Sequence, residues 1–165
     1  MASLAVVLYD VSMHNKLRYF GITDAIAEEA RATLKDRFGH DLKVETGTAP
    51  CRVCLRVPKE PERLLLLSYQ PLADMSPYAE IGPIFVHADR CEPYAQDDVF
   101  PEDFARRRLV LRAYGYDGKI VNALIAEPGE APEKAAYLLN GVEAAEIHVR
   151  HESYTCFDFR ITRTE

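Results

Sequence analysis

Cysteine and histidine residues lie close enough together along the chain to suggest a metal site or a reactive thiol. Cys51 and Cys54 form a Cys-x-x-Cys pair. His87 and Cys91 follow in a His-x-x-x-Cys segment. Three thiolates and one imidazole are the soft donor set that zinc takes in tetrahedral structural sites. The sequence therefore offers Cys51, Cys54, His87 and Cys91 as candidate zinc ligands of a structural or interaction module.

The residues around the Cys-x-x-Cys pair predict a β-strand over Cys51–Val57, and this leaves two other interpretations open. Residues three apart on a strand point to opposite faces, and the usual glycine of a metal knuckle is absent. Cys51 would then be an ordinary buried thiol. Cys54 would lie between Arg52 and Arg56, whose positive charges favour a thiolate and hence thiol redox chemistry.

A second group of polar side chains is predicted near the C-terminus. Strand alternation places Ile147 and Val149 inward with Phe157, Phe159 and Ile161. The opposite face then carries His148, Arg150, Glu152, Cys156, Asp158 and Arg160. A salt-bridged outer face is one interpretation of this group, and nucleophilic catalysis by Cys156, His148 and Asp158 is another.

Forked guanidinium groups on this face favour a third interpretation, recognition of a small anion such as a carboxylate or phosphate. The chain has 14 Arg against 6 Lys, which agrees with such recognition. The loops Gln70–Gly82 and Asp89–Phe100 are expected to cover the site. The predicted anion-binding residues are Arg52, Cys54, Arg56, Arg112, His148, Arg150, Cys156 and Arg160.

The elements that must position these residues are mostly strands. Apolar patterning predicts strands over Leu4–Tyr9, Leu42–Thr46, Cys51–Val57, Leu64–Tyr69, Pro83–Ala88, Leu109–Gly115, Lys119–Ala126, Ala145–His151 and Cys156–Thr162. Asp117-Gly118 predicts a tight hairpin. Helices are predicted from Thr23 to Gly39, over Pro101–Arg107 and from Pro132 to Asn140. The expected fold is α+β: a mainly antiparallel sheet, barrel-like if it closes, with two or three short helices packed on it.

Composition restricts the remaining choices. A chain of 165 residues with 48% apolar content is expected to form one domain, residues 1–165. The net charge of -6 argues against nucleic acid or an anionic membrane as the main partner. Ser3–Tyr9 is too short for a membrane span and lacks a basic leader, so a cytoplasmic protein with reduced thiols is expected. Common nucleotide-binding and serine-hydrolase motifs are absent, and whether the protein is an enzyme stays open.

Several ordered sequence blocks occur between about Pro50 and Arg163. They are Ala49-Pro-Cys-Arg-Val-Cys-Leu-Arg56, Leu64-Leu-Leu-Leu-Ser-Tyr69, Ser76-Pro-Tyr78, Ile81-Gly-Pro-Ile-Phe-Val-His-Ala88, and Ile147-His-Val-Arg150 followed by Cys156-Phe157. Together these blocks resemble the bacterial domain of unknown function 1203 family. The resemblance implies a small bacterial cytoplasmic protein, and it brings no activity, substrate or catalytic residue with it.

Overall fold

The computed structural model describes residues 16–73, 76–96 and 98–164. These residues form an α+β fold whose strands are mostly antiparallel and lie in two sheets. The strands are β1 (Leu17–Phe20), β2 (Val44–Gly47), β3 (Glu62–Tyr69), β4 (Gly82–His87), β5 (Leu109–Gly115), β6 (Ile120–Ala126), β7 (Ala144–His151) and β8 (Phe157–Arg163). The helices are α1 (Asp24–Thr33), α2 (Glu102–Ala105) and α3 (Ala131–Asn140). The predicted strand Leu4–Tyr9 lies outside the described residues.

The larger sheet has five strands in the order β1-β8-β7-β5-β6. One face packs against α3, and the core between them includes Leu111, Leu139, Ile147, Val149 and Phe159. Inward residues on β7 alternate with polar ones, as a sheet covered by a helix requires. The expectation of a barrel is wrong, because β1 and β6 lie at opposite edges of this sheet and do not pair.

The smaller sheet has the order β2-β3-β4 and a core of its own. Helix α1 contributes Ala27 and Ala30 to that core, and the strands contribute Leu65 and Ile84. Phe157 at the start of β8 also packs there, so it connects the smaller sheet to the larger one. Most of the buried apolar side chains of the described residues thus fall into two clusters.

The first helix ends earlier than its apolar spacing predicts. It stops at Thr33, and Leu34 adopts a left-handed conformation with φ of 50°. The buried Asp36 carboxylate accepts backbone N–H bonds from Phe38, His40 and Ser68. These bonds hold the chain in a turn, so the predicted continuation to Gly39 is wrong.

Other predicted elements agree closely with the structure. β3 to β8 lie within two residues of predicted strands, and α2 and α3 lie at the two predicted short helices. Asp117 and Gly118 form the turn between the antiparallel strands β5 and β6, with Gly118 at φ of 74°. β1 was not predicted. Among the described residues, no helix is long and apolar enough to cross a membrane.

Candidate metal centre

The Cys-x-x-Cys segment forms a tight turn, so the predicted strand over Cys51–Val57 is wrong. The Leu55 amide donates to the carbonyl of Cys51 at 3.0 Å, and the Cys51 amide donates to the carbonyl of Arg56 at 3.0 Å. Leu55 takes a left-handed conformation with φ of 54°, which costs a non-glycine residue roughly 1–2 kcal/mol. Burial of the Leu55 side chain in the larger core offsets that cost.

Strand β4, which ends at His87, holds this turn in place. Cys51 forms a parallel bridge with Phe85, and the Arg52 amide donates to the Phe85 carbonyl at 3.0 Å. The His87 amide lies 3.3 Å from Cys51 Sγ and donates to it. Cys91 follows in the bend after β4, and its thiol reaches back to the turn. Local backbone pairing therefore brings two distant sequence segments together.

The four side chains converge on one point. The ligand atoms of Cys51, Cys54, His87 and Cys91 all lie within 4.8 Å of one another. The Sγ atoms of Cys51 and Cys91 are 3.8 Å apart, and Cys54 Sγ is 3.5 Å from His87 Nδ1. Usual zinc bond lengths give tetrahedral edges of about 3.8 Å between two sulfurs and about 3.6 Å between sulfur and nitrogen. The donor types and both measured edges fit tetrahedral zinc.

A carboxylate lies behind the histidine. His87 Nε2 is 2.8 Å from Glu62 Oε2, a close contact whose angle is poor for a hydrogen bond. Arg56 holds the same carboxylate with two parallel bonds of 3.0 Å. In metal-binding histidines a carboxylate that accepts from the outer ring nitrogen fixes the orientation of the imidazole, and Glu62 is close enough to take that role here. The other ring nitrogen, Nδ1, faces the cysteine thiols.

Arg31 of α1 supplies positive charge on another side of the cluster. Its Nε donates to the carbonyl of His87 at 3.1 Å, and its Nη2 lies 3.6 Å from Cys91 Sγ. Three thiolates leave a surplus negative charge on a zinc site of this type. With zinc bound, the largely buried guanidinium would offset part of that charge, in addition to its pairing with Glu28 at 2.7 Å.

Hydrogen bonds within the cluster shift the pKa values of Cys51, His87 and Cys91 in different directions. Hydrogen bonds from the thiols of Cys54 and Cys91 hold the pKa of Cys51 far below its usual range. Hydrogen bonding to Cys51 raises the pKa of Cys91 well above its usual range. Hydrogen bonds to Cys51 and Cys54 raise the pKa of His87 to about 10. Without metal, the cluster therefore keeps protons on His87 and Cys91 at neutral pH.

Glu62→Gln is expected to weaken zinc binding by about 10- to 100-fold, because the outer carboxylate no longer orients His87 or raises its basicity. Competition with a chromogenic chelator would measure the affinity. Glu45→Gln is the matched control, since Glu45 is an exposed carboxylate on the neighbouring strand β2. Equal zinc affinities for the two variants would contradict an orienting role for Glu62.

The structure separates the predicted anion-binding residues into different places. Cys54 is in the metal cluster, and Arg56 binds Glu62. Arg52 points the other way and pairs with buried Asp158 at 2.9 Å. The remaining ones lie on or beside one face of the larger sheet: Arg112, His148, Arg150, Cys156 and Arg160.

That face differs from the predicted alternation near Phe157. The register shifts between Val149 and Arg150, so Phe157 pairs with Arg150. The Phe157 ring packs edge-on against His148, with 5.4 Å between centroids. Asp158 instead bonds His151 Nδ1, and His148 bonds Glu146. His148 and Asp158 therefore each have another partner, and they do not form the predicted catalytic group with Cys156.

Three charged residues near these groups were not predicted from the sequence: Glu62, Arg31 and Glu80. Each meets its partner only through tertiary packing, across separations such as the 56 residues between Arg31 and His87. A single sequence carries no signal for such contacts.

A family model for a protein of unknown function, DUF1203, matches residues 48–163. The chain belongs to this family. The matched region of this DUF1203 protein contains all four residues of the cysteine and histidine cluster. No curated protein and no solved structure matches the chain.

Proposed function

We propose that this DUF1203 protein is a zinc-stabilised module in which Cys51, Cys54, His87 and Cys91 hold one Zn²⁺. The convergence of their four ligand atoms within 4.8 Å carries this proposal. Contacts from Glu62 and Arg31 support it, because they orient the imidazole and offset thiolate charge. Four protein ligands leave no open coordination position, which favours a structural role over a catalytic one.

Thiol redox chemistry is a weaker account of the same cluster. A redox pair needs two thiols, whereas here a third thiol and an imidazole complete a tetrahedral donor set. Arg52 is directed at Asp158, so it does not flank Cys54 in the way a strand would require. The cysteines form no disulfide, which suits a reducing compartment, and we propose that the protein is cytoplasmic.

One zinc per chain is the expected stoichiometry. Native mass spectrometry of freshly purified protein would measure it, with denatured spectra giving the metal-free mass. Cys51→Ser should lose the metal, because a serine hydroxyl is a poor ligand for zinc. Cys156→Ser is the matched control, since Cys156 is the one cysteine outside the cluster and should leave the stoichiometry unchanged.

Acidification gives a second measure of the same site. Zinc must displace the protons of His87 and Cys91, so binding releases protons and the apparent affinity should fall as the pH falls. Equal zinc contents for the Cys51→Ser and Cys156→Ser variants would overturn the proposal. So would metal-free wild-type protein that takes up no zinc when zinc is added.

A further inference from the structure

A separate cavity of about 330 Å³ lies beside the polar face of β7. It is lined by residues that include Tyr69, Glu80, Ile81, Arg150, Cys156 and Phe157. Its volume lies at the lower end of the range for small-molecule sites, roughly 300–1,000 Å³. The lining combines aromatic and aliphatic side chains with one buried guanidinium, as a site for a small molecule with one charged group would.

Two arginines in this region share one carboxylate of the protein itself. Glu80 Oε2 lies 2.9 Å from Arg112 Nη1 and 3.0 Å from Arg150 Nη2. Glu80 belongs to the loop between β3 and β4, and its side chain is half exposed. The two guanidinium groups therefore form a preassembled carboxylate site that a loop residue occupies.

The side chain of Arg150 is more deeply buried than that of Arg112. It is 6% exposed, and its Nη1 donates to the Thr155 carbonyl at 2.9 Å. Its Nε has no hydrogen-bond partner among the described residues. A buried, incompletely satisfied guanidinium is costly unless an anion accompanies it.

Cationic side chains outnumber carboxylates on this face of the larger sheet. Arg112, Arg150 and Arg160 lie near two carboxylates, Glu80 and Glu146. Arg160 also donates to the carbonyl of Pro71, which lines the cavity, so the third arginine supports the cavity wall. An incoming anion that displaced Glu80 would preserve the charge balance, because Glu80 would move into solvent.

We propose that the cavity binds a small organic carboxylate with an apolar body, whose carboxylate takes the position of Glu80 between Arg112 and Arg150. The apolar body lies against Tyr69 and Phe157 in the cavity. Glu80 then acts as an internal competitor that lowers the affinity for the ligand. This site is separate from the metal cluster and does not depend on zinc binding.

Isothermal titration calorimetry with benzoate as the probe tests this assignment. Glu80→Gln removes the competing charge and keeps the side-chain shape, so benzoate should bind about tenfold or more tightly than to the wild type. Glu127→Gln is the matched control, because Glu127 is also a half-exposed carboxylate paired with an arginine. Adding Arg112→Met to Glu80→Gln should reverse the gain, while circular dichroism and zinc content report an intact fold.

Benzamide, the neutral counterpart of benzoate, should not bind measurably at millimolar concentrations. Equal binding of benzamide and benzoate would overturn the proposal, since apolar contacts alone would explain it. Tighter binding of inorganic phosphate than of benzoate or acetate would contradict the carboxylate class. Absence of any benzoate or acetate binding to Glu80→Gln would show that the two arginines do not form an anion site.

Discussion

Removal of zinc is expected to unfold the part of the protein that is built on β2, β3 and β4. The cysteine ligands belong to the smaller core, in which Cys51 and Val53 pack with residues of β3, β4 and α1. Structural zinc contributes an apparent binding energy of about 10–16 kcal/mol in small zinc domains. Whole domains have a stability of only about 5–15 kcal/mol, so losing the metal removes a comparable free energy.

The two cores predict that this unfolding is uneven. Leu111, Ile147 and Val149 lie in the larger core, whose buried residues form a cluster separate from the smaller one. Hydrogen exchange after chelation should therefore show loss of protection in β3 and β4, while β5 and β7 stay protected.

Cys156 lies outside the cluster and would be open to oxidation when the metal is chelated. The Cys156→Ser variant is the better starting material, because it removes the thiol outside the cluster and limits unrelated oxidation. Exchange would be compared before chelation, after chelation, and after zinc is restored. If mass spectrometry verifies metal loss and the exchange protection of β3 and β4 is unchanged, zinc does not stabilise the part of the protein built on these strands.

Most strands could be predicted from the sequence because their apolar patterning is local and repetitive. β5 and β6 show apolar patterning around Asp117-Gly118, and a short hairpin turn that ends in a glycine with positive φ needs only short-range information. The donor set for zinc was also visible, because it depends on residue types and spacing. The turn that makes the set converge was not, since Leu55 occupies a left-handed position that normally favours glycine.

The predicted polar face near Phe157 was wrong for a different reason. Strict alternation along β7 and β8 holds only while the register is constant, and one shift between Val149 and Arg150 moves Phe157 to the polar face. A shift of this kind depends on how the sheet meets its neighbour. Here Phe157 joins the core of the smaller sheet, which no pattern within β8 indicates.

A buried ion pair ties the Cys51–Cys54 turn, called the knuckle below, to the larger sheet. Breaking this ion pair should be the most damaging single change outside the metal ligands. Arg52, between the two knuckle cysteines, donates to the carbonyls of Phe157 at 2.9 Å and Pro50 at 2.6 Å. Its Nη2 lies 2.9 Å from Asp158 Oδ1, and Asp158 has no exposed surface. His151 Nε2 lies 2.8 Å from Arg107, so Nε2 accepts and Nδ1 donates to Asp158.

Asp158→Asn is expected to destabilise the protein by about 3–5 kcal/mol, because it leaves the Arg52 charge buried without its partner. For a chain of this length the midpoint of thermal unfolding should fall by about 10 °C. Asp117→Asn is the matched control, since Asp117 pairs with Lys119 on the surface and should leave the midpoint nearly unchanged. A double-mutant cycle with Arg52→Met then separates the pair from the other bonds of Arg52: if the pair matters, Arg52→Met must cost less in Asp158→Asn than in the wild type. Equal costs in both backgrounds would mean that Arg52 holds the knuckle through the Phe157 and Pro50 carbonyls alone.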